Sequence, residues 1–202
     1  MSILRLFRKP TKQEIHLQIA EQIVLNALMI RVQIVEQSPV VSDRVGRELA
    51  FFGLYSVDRK AFTELGSTGR DELIDSVSQL TAIRYIDAIF SKSAPQDLIR
   101  SQRSSFIEQY NYTTDIYGHC KDIMSGPIGA EAGSVMFAFS YFIHTAITGD
   151  RDFDATDILC GRRKVEMSDL KHLPQFDKTL PWMLLLPHFI NKKLVSLISS
   201  YK

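Results

Sequence analysis

The segment EQYNYTTDIYGHCKD, residues 108–122, carries three acids, tyrosines and a histidine at helical spacing. On an α-helix, positions i, i+4, i+7, i+11 and i+14 lie within a sector of less than about 90°, because each residue turns the chain by about 100°. Histidine with nearby carboxylates can bind a divalent cation, or a carboxylate can raise the histidine pKa for proton transfer. We call this set the polar stripe; its members are Glu108, Tyr112, Asp115, His119 and Asp122.

The polar stripe has two interpretations. As a metal site, it would supply the ligands Glu108, Asp115, His119 and Asp122. However, carboxylate metal sites in helical proteins usually take ligands from several helices, often with a Glu-x-x-His pair, and this sequence has no such pair. The alternative is a solvated surface in which Asp115 pairs with His119. We favour the solvated surface because helices normally turn a polar side towards water.

A second acidic stretch, DRDFDATD, resembles the start of an EF-hand calcium loop. Asp150, Asp152 and Asp154 match its first three ligand positions, but Ala155 stands where the loop requires glycine and Gly161 where it requires glutamate. Helix capping by Asp154 is the simpler explanation. The chain also lacks a phosphate-binding loop, a G-x-S-x-G elbow and an H-E-x-x-H motif, and we predict no cofactor.

The two ends of the chain differ in charge from its body. Residues 1–12 carry four bases and no acid, and so do residues 178–202, which leaves 16 bases and 23 acids between them, a formal −7. An acidic body argues against a broad nucleic-acid footprint. We therefore expect nucleic acid not to be the partner.

Both basic ends are amphipathic if they are helical. Residues 1–10 and 188–202 would each place apolar side chains opposite Lys or Arg. Such helices could dock on the body, join a second subunit, or bind an anionic membrane, where each base contributes on the order of 1 kcal/mol. We expect packing within the protein, because apolar terminal helices commonly hold a domain together. The predicted binding residues, the C-terminal stripe, are Ile190, Leu194, Leu197, Ile198 and Tyr201.

Helices are the elements predicted to position these residues. Thr11 and Glu14 form a capping box ahead of a helix that reaches about residue 37, and its segment IVLNALMI is apolar on nearly all sides, which indicates burial. An apolar run near 130–148 predicts another core helix, shorter than a membrane span. No sustained period-2 alternation indicates a strand. Further helices are predicted to start at Ser42, Thr68 and Ser93.

These patterns predict an all-α fold. Its 202 residues are 45% hydrophobic, enough to bury a core, and we expect one domain over 1–202, a bundle of six or seven helices with central apolar helices near 13–37 and 130–148. Cys120 and Cys160 match no disulfide framework or zinc pattern, and the N-terminus lacks the features of a signal peptide. We therefore expect free thiols and a cytoplasmic protein.

The predicted function is a non-enzymatic helical module for protein–protein interaction or regulation. Its partner would be another protein or a second copy of the chain, bound through an apolar groove or the terminal helices. The alternative is a metal-dependent or acid–base enzyme that uses residues 108–122. A third possibility is a module peripheral to a membrane, bound through its basic ends.

Overall fold

The structure is a computed structural model that describes residues 8–34, 39–90, 93–121, 131–149, 154–173 and 192–201. It is 79% helical and has no strand in these ranges, so the all-α prediction is confirmed. The six helices of the described residues are α1 (Lys12–Ile34), α2 (Pro39–Ile89), α3 (Gln96–His119), α4 (Val135–Thr148), α5 (Thr156–Leu159) and α6 (Lys192–Ser199). Buried apolar residues from all six form one cluster. That the domain covers all of 1–202 stays a prediction.

Helix α1 starts at the predicted capping box. The Thr11 N–H donates to Glu14 Oε2 at 2.7 Å, and the Glu14 N–H donates to Thr11 Oγ1 at 3.2 Å, so each residue satisfies a free donor of the other. The apolar helix predicted near 13–37 is confirmed over its described part. Over Lys12–Val32 it has the length and hydropathy of a membrane span, but 56% of that window is buried. The core helix of a soluble protein can have the same length and hydropathy.

Helix α2 is the long element against which α1, α3, α4 and α6 pack, and it is broken at Gly66. The backbone there has φ 71° and ψ −175°, a conformation that glycine adopts readily because it lacks a Cβ. Arg70 braces the break, since its guanidinium bonds Asp58 on one side and Asp71 at 2.7 Å on the other. Ion pairs of Lys12 with Glu72 and of Glu21 with Arg84 show that α1 runs parallel to residues 67–89.

Three predicted helix starts differ from the structure. Helix α2 begins at Pro39 rather than Ser42, because the fixed φ of proline suits the first turn of a helix. The break in α2 falls at Gly66, two residues before Thr68. Helix α3 is preceded by Pro95, which makes no side-chain cap bond, rather than by Ser93.

Helices α3 and α4 pack on α2 through aromatic rings. Phe106 of α3 meets Phe51 at a centroid distance of 4.8 Å, and Phe139 of α4 meets Phe52 at 4.5 Å. The helix predicted near 130–148 is confirmed as α4, which Ser134 caps by accepting the Phe137 N–H at 3.2 Å. These contacts set the spacing between α2, α3 and α4.

The segment after α4 is held against the start of that helix. Gly133 and Gly161 both have positive φ, and a Cβ added at Gly133 would lie 3.0 Å from the Gly161 Cα. Only two glycines allow so close an approach of the two backbones. This contact holds the end of α5 beside the first residues of α4.

Candidate functional site

The polar stripe of α3 faces water. Glu108, Tyr112, Asp115 and His119 are all exposed, and Asp122 lies outside the described residues. The His119 Nδ1 is 2.8 Å from the backbone oxygen of Asp115 and 3.8 Å from its Oδ1, which is the pairing expected of a solvated surface. No group of three His, Cys, Asp or Glu side chains suited to a metal occurs in the described ranges. The four-ligand metal site stays a prediction.

The members of the polar stripe border different spaces, because α3 lies between two cavities. Asp115 lines one of them and Tyr112 lines the other, whereas Glu108 and His119 line neither. The two cavities differ in charge and in the elements that form their walls. We call them the charged cavity and the aromatic cavity.

The charged cavity, of about 550 Å³, lies between α2, α3 and the start of α4. Arg70, which lines this cavity, bonds Asp58 and Asp71, as described above. Burial raises the pKa of the Tyr110 hydroxyl, which therefore stays protonated. The charged side chains of the lining are Asp58, Arg59, Arg70, Asp115 and Lys121.

Cys120 is the one thiol in the lining of the charged cavity, and it is not activated. Burial, with a smaller contribution from Cys160, raises the pKa of Cys120 to about 12. Its Sγ donates to the backbone oxygens of Ile116 at 3.4 Å and Leu159 at 3.5 Å. Since the thiolate is the nucleophilic form, this geometry does not supply a cysteine nucleophile.

The aromatic cavity, of about 540 Å³, lies between α2, α3, α4 and α5 with the two residues before it. Glu48 is half-buried and its Oε2 is shielded from solvent. Asp154 is exposed and accepts the Thr156 N–H at 3.0 Å, a bond that holds the pKa of its carboxyl below the usual value. Asp154 thus bonds the first N–H of α5 from the position before the N-cap, whereas the N-cap residue is Ala155, which makes no side-chain cap bond. Asp150 and Asp152 lie outside the described residues. The aromatic lining consists of Tyr112, Tyr141 and Phe142.

Sequence reasoning did not single out Glu48 or Tyr141 as site residues. Glu48 belongs to the segment GRELAFF and Tyr141 to an apolar core helix, and neither position forms a motif. The only signal is the carboxylate of Glu48 directly before the apolar run LAFF. The partners that complete the cavity come from helices far away in sequence.

The C-terminal stripe packs against the body of the protein. Leu194 and Ile198 are buried and Leu197 is half-buried, while Ile190 lies outside the described residues. The buried ring of Tyr201 stacks on His16 with a centroid distance of 5.2 Å, and the Lys12 Nζ lies 4.9 Å from the Tyr201 centroid. Of the basic segment 1–10, only residues 8–10 are described; Arg8 forms an exposed ion pair with Glu14 at 3.6 Å.

The outer side of α1 is apolar and open, although the sequence indicated burial. Leu25, Met29 and Val32 are 51%, 58% and 63% exposed. They follow i, i+4 and i+7 and so share one side of the helix. Gln18 and Glu21 continue the same line towards the N-terminus, where it is polar. We call Leu25, Met29 and Val32 the α1 surface.

Comparisons with protein-family models, with curated proteins and with solved structures find no match to this chain.

Proposed function

We propose that the protein is a non-enzymatic interaction module and that the α1 surface binds the same surface of a second copy. The observation that carries the proposal is the exposure of three large apolar side chains, Leu25, Met29 and Val32, on one side of a helix whose other side is core. Contiguous exposed apolar patches on proteins commonly mark interaction sites.

The spacing of the α1 surface favours self-association. Its residues are nearly symmetric about Met29, with one apolar side chain four positions before it and one three positions after it. If two α1 helices pair antiparallel about a two-fold axis near Met29, Leu25 of one copy meets Val32 of the other. Each apolar side chain then gains an apolar partner.

The size of the α1 surface indicates a weak complex. Standard interfaces bury about 800 Å² per partner, more than three side chains provide. The polar neighbours Gln18 and Glu21 would form part of the rim. We therefore expect a reversible dimer that exchanges with monomer.

The other predicted functions have less support. Helix α6 already packs on α1 and α2, which leaves fewer of its apolar groups for a partner. An acid–base enzyme would need convergent polar groups, whereas the polar stripe is divided between two cavities and solvent. Free Cys120 and Cys160 agree with a cytoplasmic location, which remains part of the proposal.

Sedimentation equilibrium tests the proposal. The chain has a mass of 23.0 kDa, and we expect the weight-average mass of the wild type to rise from this value towards a dimer as concentration increases. Met29→Glu places a charge at the centre of the interface and should keep the protein monomeric. A monomer at every concentration of the wild type would overturn the proposal.

Phe62→Glu is the matched control. Phe62 is 55% exposed, similar to Met29, but lies on α2 sixteen residues after Gly46. Arg31, at the end of α1, packs near Gly46, so Phe62 is about 24 Å further along the helix. Phe62→Glu should associate like the wild type. Equal loss of mass in both variants would point to general disruption and contradict the proposed surface.

A further inference from the structure

The two cysteines of the chain are distant in sequence but close in space. Cys120 directly follows α3, and Cys160 directly follows α5. The Cys120 Sγ lies 3.5 Å from the backbone oxygen of Leu159, the residue before Cys160. Since a carbonyl oxygen lies about 3 Å from the next Cα, the Cys120 sulfur is at most about 6.5 Å from the Cys160 Cα. This distance is compatible with a disulfide, whose two Cα atoms are roughly 4.4–6.8 Å apart.

Backbone contacts hold the two cysteines in these positions. The Lys121 N–H donates to the Gly133 backbone oxygen at 3.0 Å, which ties the end of α3 to the residues before α4. Gly133 lies in turn against Gly161, as described above. Lys121 and Gly161 are the residues that directly follow Cys120 and Cys160. The two segments that carry the thiols are therefore joined through their backbones, and their approach does not depend on the sulfur atoms.

The two thiols differ in how easily a solute reaches them. Cys120 is half-buried and lines the charged cavity, whereas Cys160 is 4% exposed. The S–H bonds of Cys120 to the Ile116 and Leu159 oxygens are of the weak kind that thiols form, so little is lost when the proton leaves. An oxidant that enters from the charged cavity therefore meets Cys120 first and Cys160 second.

We propose that Cys120 and Cys160 form a reversible intramolecular disulfide, a redox-sensitive bond that fastens the end of α3 to the end of α5. The oxidant is a low-molecular-weight disulfide such as oxidised glutathione. Disulfides in cytoplasmic proteins are usually transient and often sense the redox state, which agrees with two thiols that are free in the reduced chain. The pair shares no residue with the α1 surface, so the inference stands whether the protein is monomeric or dimeric.

The bond forms by two thiol–disulfide exchanges. The Cys120 thiol loses its proton to water, and its sulfur attacks one sulfur of oxidised glutathione; the S–S bond breaks and one glutathione leaves as a thiolate. The Cys160 sulfur, also deprotonated, then attacks the Cys120 sulfur and releases the second glutathione. The two cysteines lose two electrons and two protons, which convert one oxidised glutathione into two thiols. Because burial raises the pKa of Cys120 to about 12, the first exchange is slow at neutral pH.

Mass spectrometry of the native protein after incubation with oxidised glutathione tests the proposal. We expect the end product to be a chain that is two hydrogen atoms lighter and carries no glutathione, with a peptide map that links Cys120 to Cys160. Dithiothreitol should restore the original mass. A lasting glutathione adduct on Cys120, a disulfide-linked dimer, or an unchanged mass would overturn the proposal.

Single cysteine variants test the order of the two exchanges. Cys160→Ser should stop at the first exchange and keep glutathione on Cys120. Cys120→Ser should leave the buried Cys160 unmodified. Rapid modification of Cys160 in Cys120→Ser would contradict the assignment of Cys120 as the thiol that reacts first.

Gly118→Cys, made in the Cys120→Ser background, is the matched control for position. Gly118 is exposed near the end of α3, and a Cβ built there meets nothing within 4 Å. This variant should take up glutathione at residue 118 and form no bond with Cys160. A bond from residue 118 as readily as from residue 120 would show that the two segments are not held in register, and it would overturn the proposal.

Thermal unfolding of the wild type keeps the test decisive if the variants fail to fold. The bond would close the long loop between the two cysteines, which restricts the unfolded chain. The oxidised wild type should therefore have a Tm roughly 5–15 °C above that of the reduced wild type. An equal or lower Tm after oxidation would mean that the bond strains the native contacts, and it would contradict the proposed fastening of α3 to α5.

Discussion

The imidazole of His16 stacks on the ring of Tyr201, with a centroid distance of 5.2 Å and an angle of 28° between the planes. His16 is 5% exposed, and its Nε2 has no hydrogen-bond partner in the described part of the chain. Since His16 lies on α1 and Tyr201 follows α6, the stack connects helices from opposite ends of the sequence. Protonation of His16 would place a charge in this buried contact.

Acidification should therefore weaken the fold through His16. Burial, assisted by the charge of Lys12 and opposed by Glu72, lowers the pKa of His16 below its usual value of 6.5. The unfolded chain then binds a proton more readily than the native one, so the free energy of unfolding falls as the pH drops below about 6.5. Denaturant unfolding at several pH values between neutral and mildly acidic would measure this decline.

His16→Phe should reduce that decline, because phenylalanine keeps a ring on Tyr201 but does not titrate. His119→Gln, which removes an exposed histidine on α3, should leave it unchanged. Glu72, whose pKa is lowered by its hydrogen bond with Lys12, acts in a more acidic range, below about 4.5. A decline of the same size in wild type and His16→Phe would refute the role of His16.

Shortening single side chains of α6 to alanine should cost more free energy of unfolding at a buried position than at a half-buried one. Leu194 is 2% exposed, and Leu194→Ala should lower the free energy of unfolding by about 2–5 kcal/mol, as core truncations do. Leu197→Ala removes the same atoms from a half-buried position and should cost clearly less. Chemical denaturation measures both. Similar small losses in the two variants would mean that α6 is not docked as described.

Two helical glycines should respond to alanine with opposite signs. A Cβ at Gly46 would collide with the hydroxyl of Tyr85, which is fully buried and donates to the Asp43 backbone oxygen at 2.9 Å. Gly46→Ala should destabilise the protein by about 1–3 kcal/mol. A Cβ at Gly118 meets nothing within 4 Å, so Gly118→Ala should stabilise α3 by up to about 1 kcal/mol. Thermal unfolding would show the two shifts, and stabilisation by Gly46→Ala would disprove the close packing there.

Local features could be predicted from the sequence, and long-range ones could not. The capping box of Thr11 and Glu14 depends on two residues three positions apart, and the structure confirms it. The helix start predicted at Thr68 lies two residues after the break observed at Gly66. Both glycine and threonine are common at helix boundaries. Helix assignment succeeded because the apolar periodicity of these segments extends over several turns.

The candidate sites depend on which helices become neighbours. Glu48 faces the aromatic cavity only because α3 and α4 pack beside α2, and no local pattern specifies that packing. The exposure of the α1 surface could not be predicted for another reason. Leu25 and Met29 are as apolar as Ile19 and Ile23, which are fully buried. Since nearly all sides of the helix are apolar there, and the polar Gln22 and Asn26 lie on its buried side, composition could not indicate which side faces solvent.

Disulfide trapping tests the proposed pairing of α1 most directly. In a background where Cys120 and Cys160 are alanine, Met29→Cys should form a dimer under mild oxidation, because the two-fold axis would bring the two cysteines together. Gln18→Cys, exposed on the same side of α1 and eleven residues earlier, should not, since the antiparallel arrangement separates the two copies of residue 18 by about 33 Å. Rapid cross-linking at residue 29 but not at residue 18 is the predicted result. Cross-linking at both positions equally, or at neither, would contradict the account.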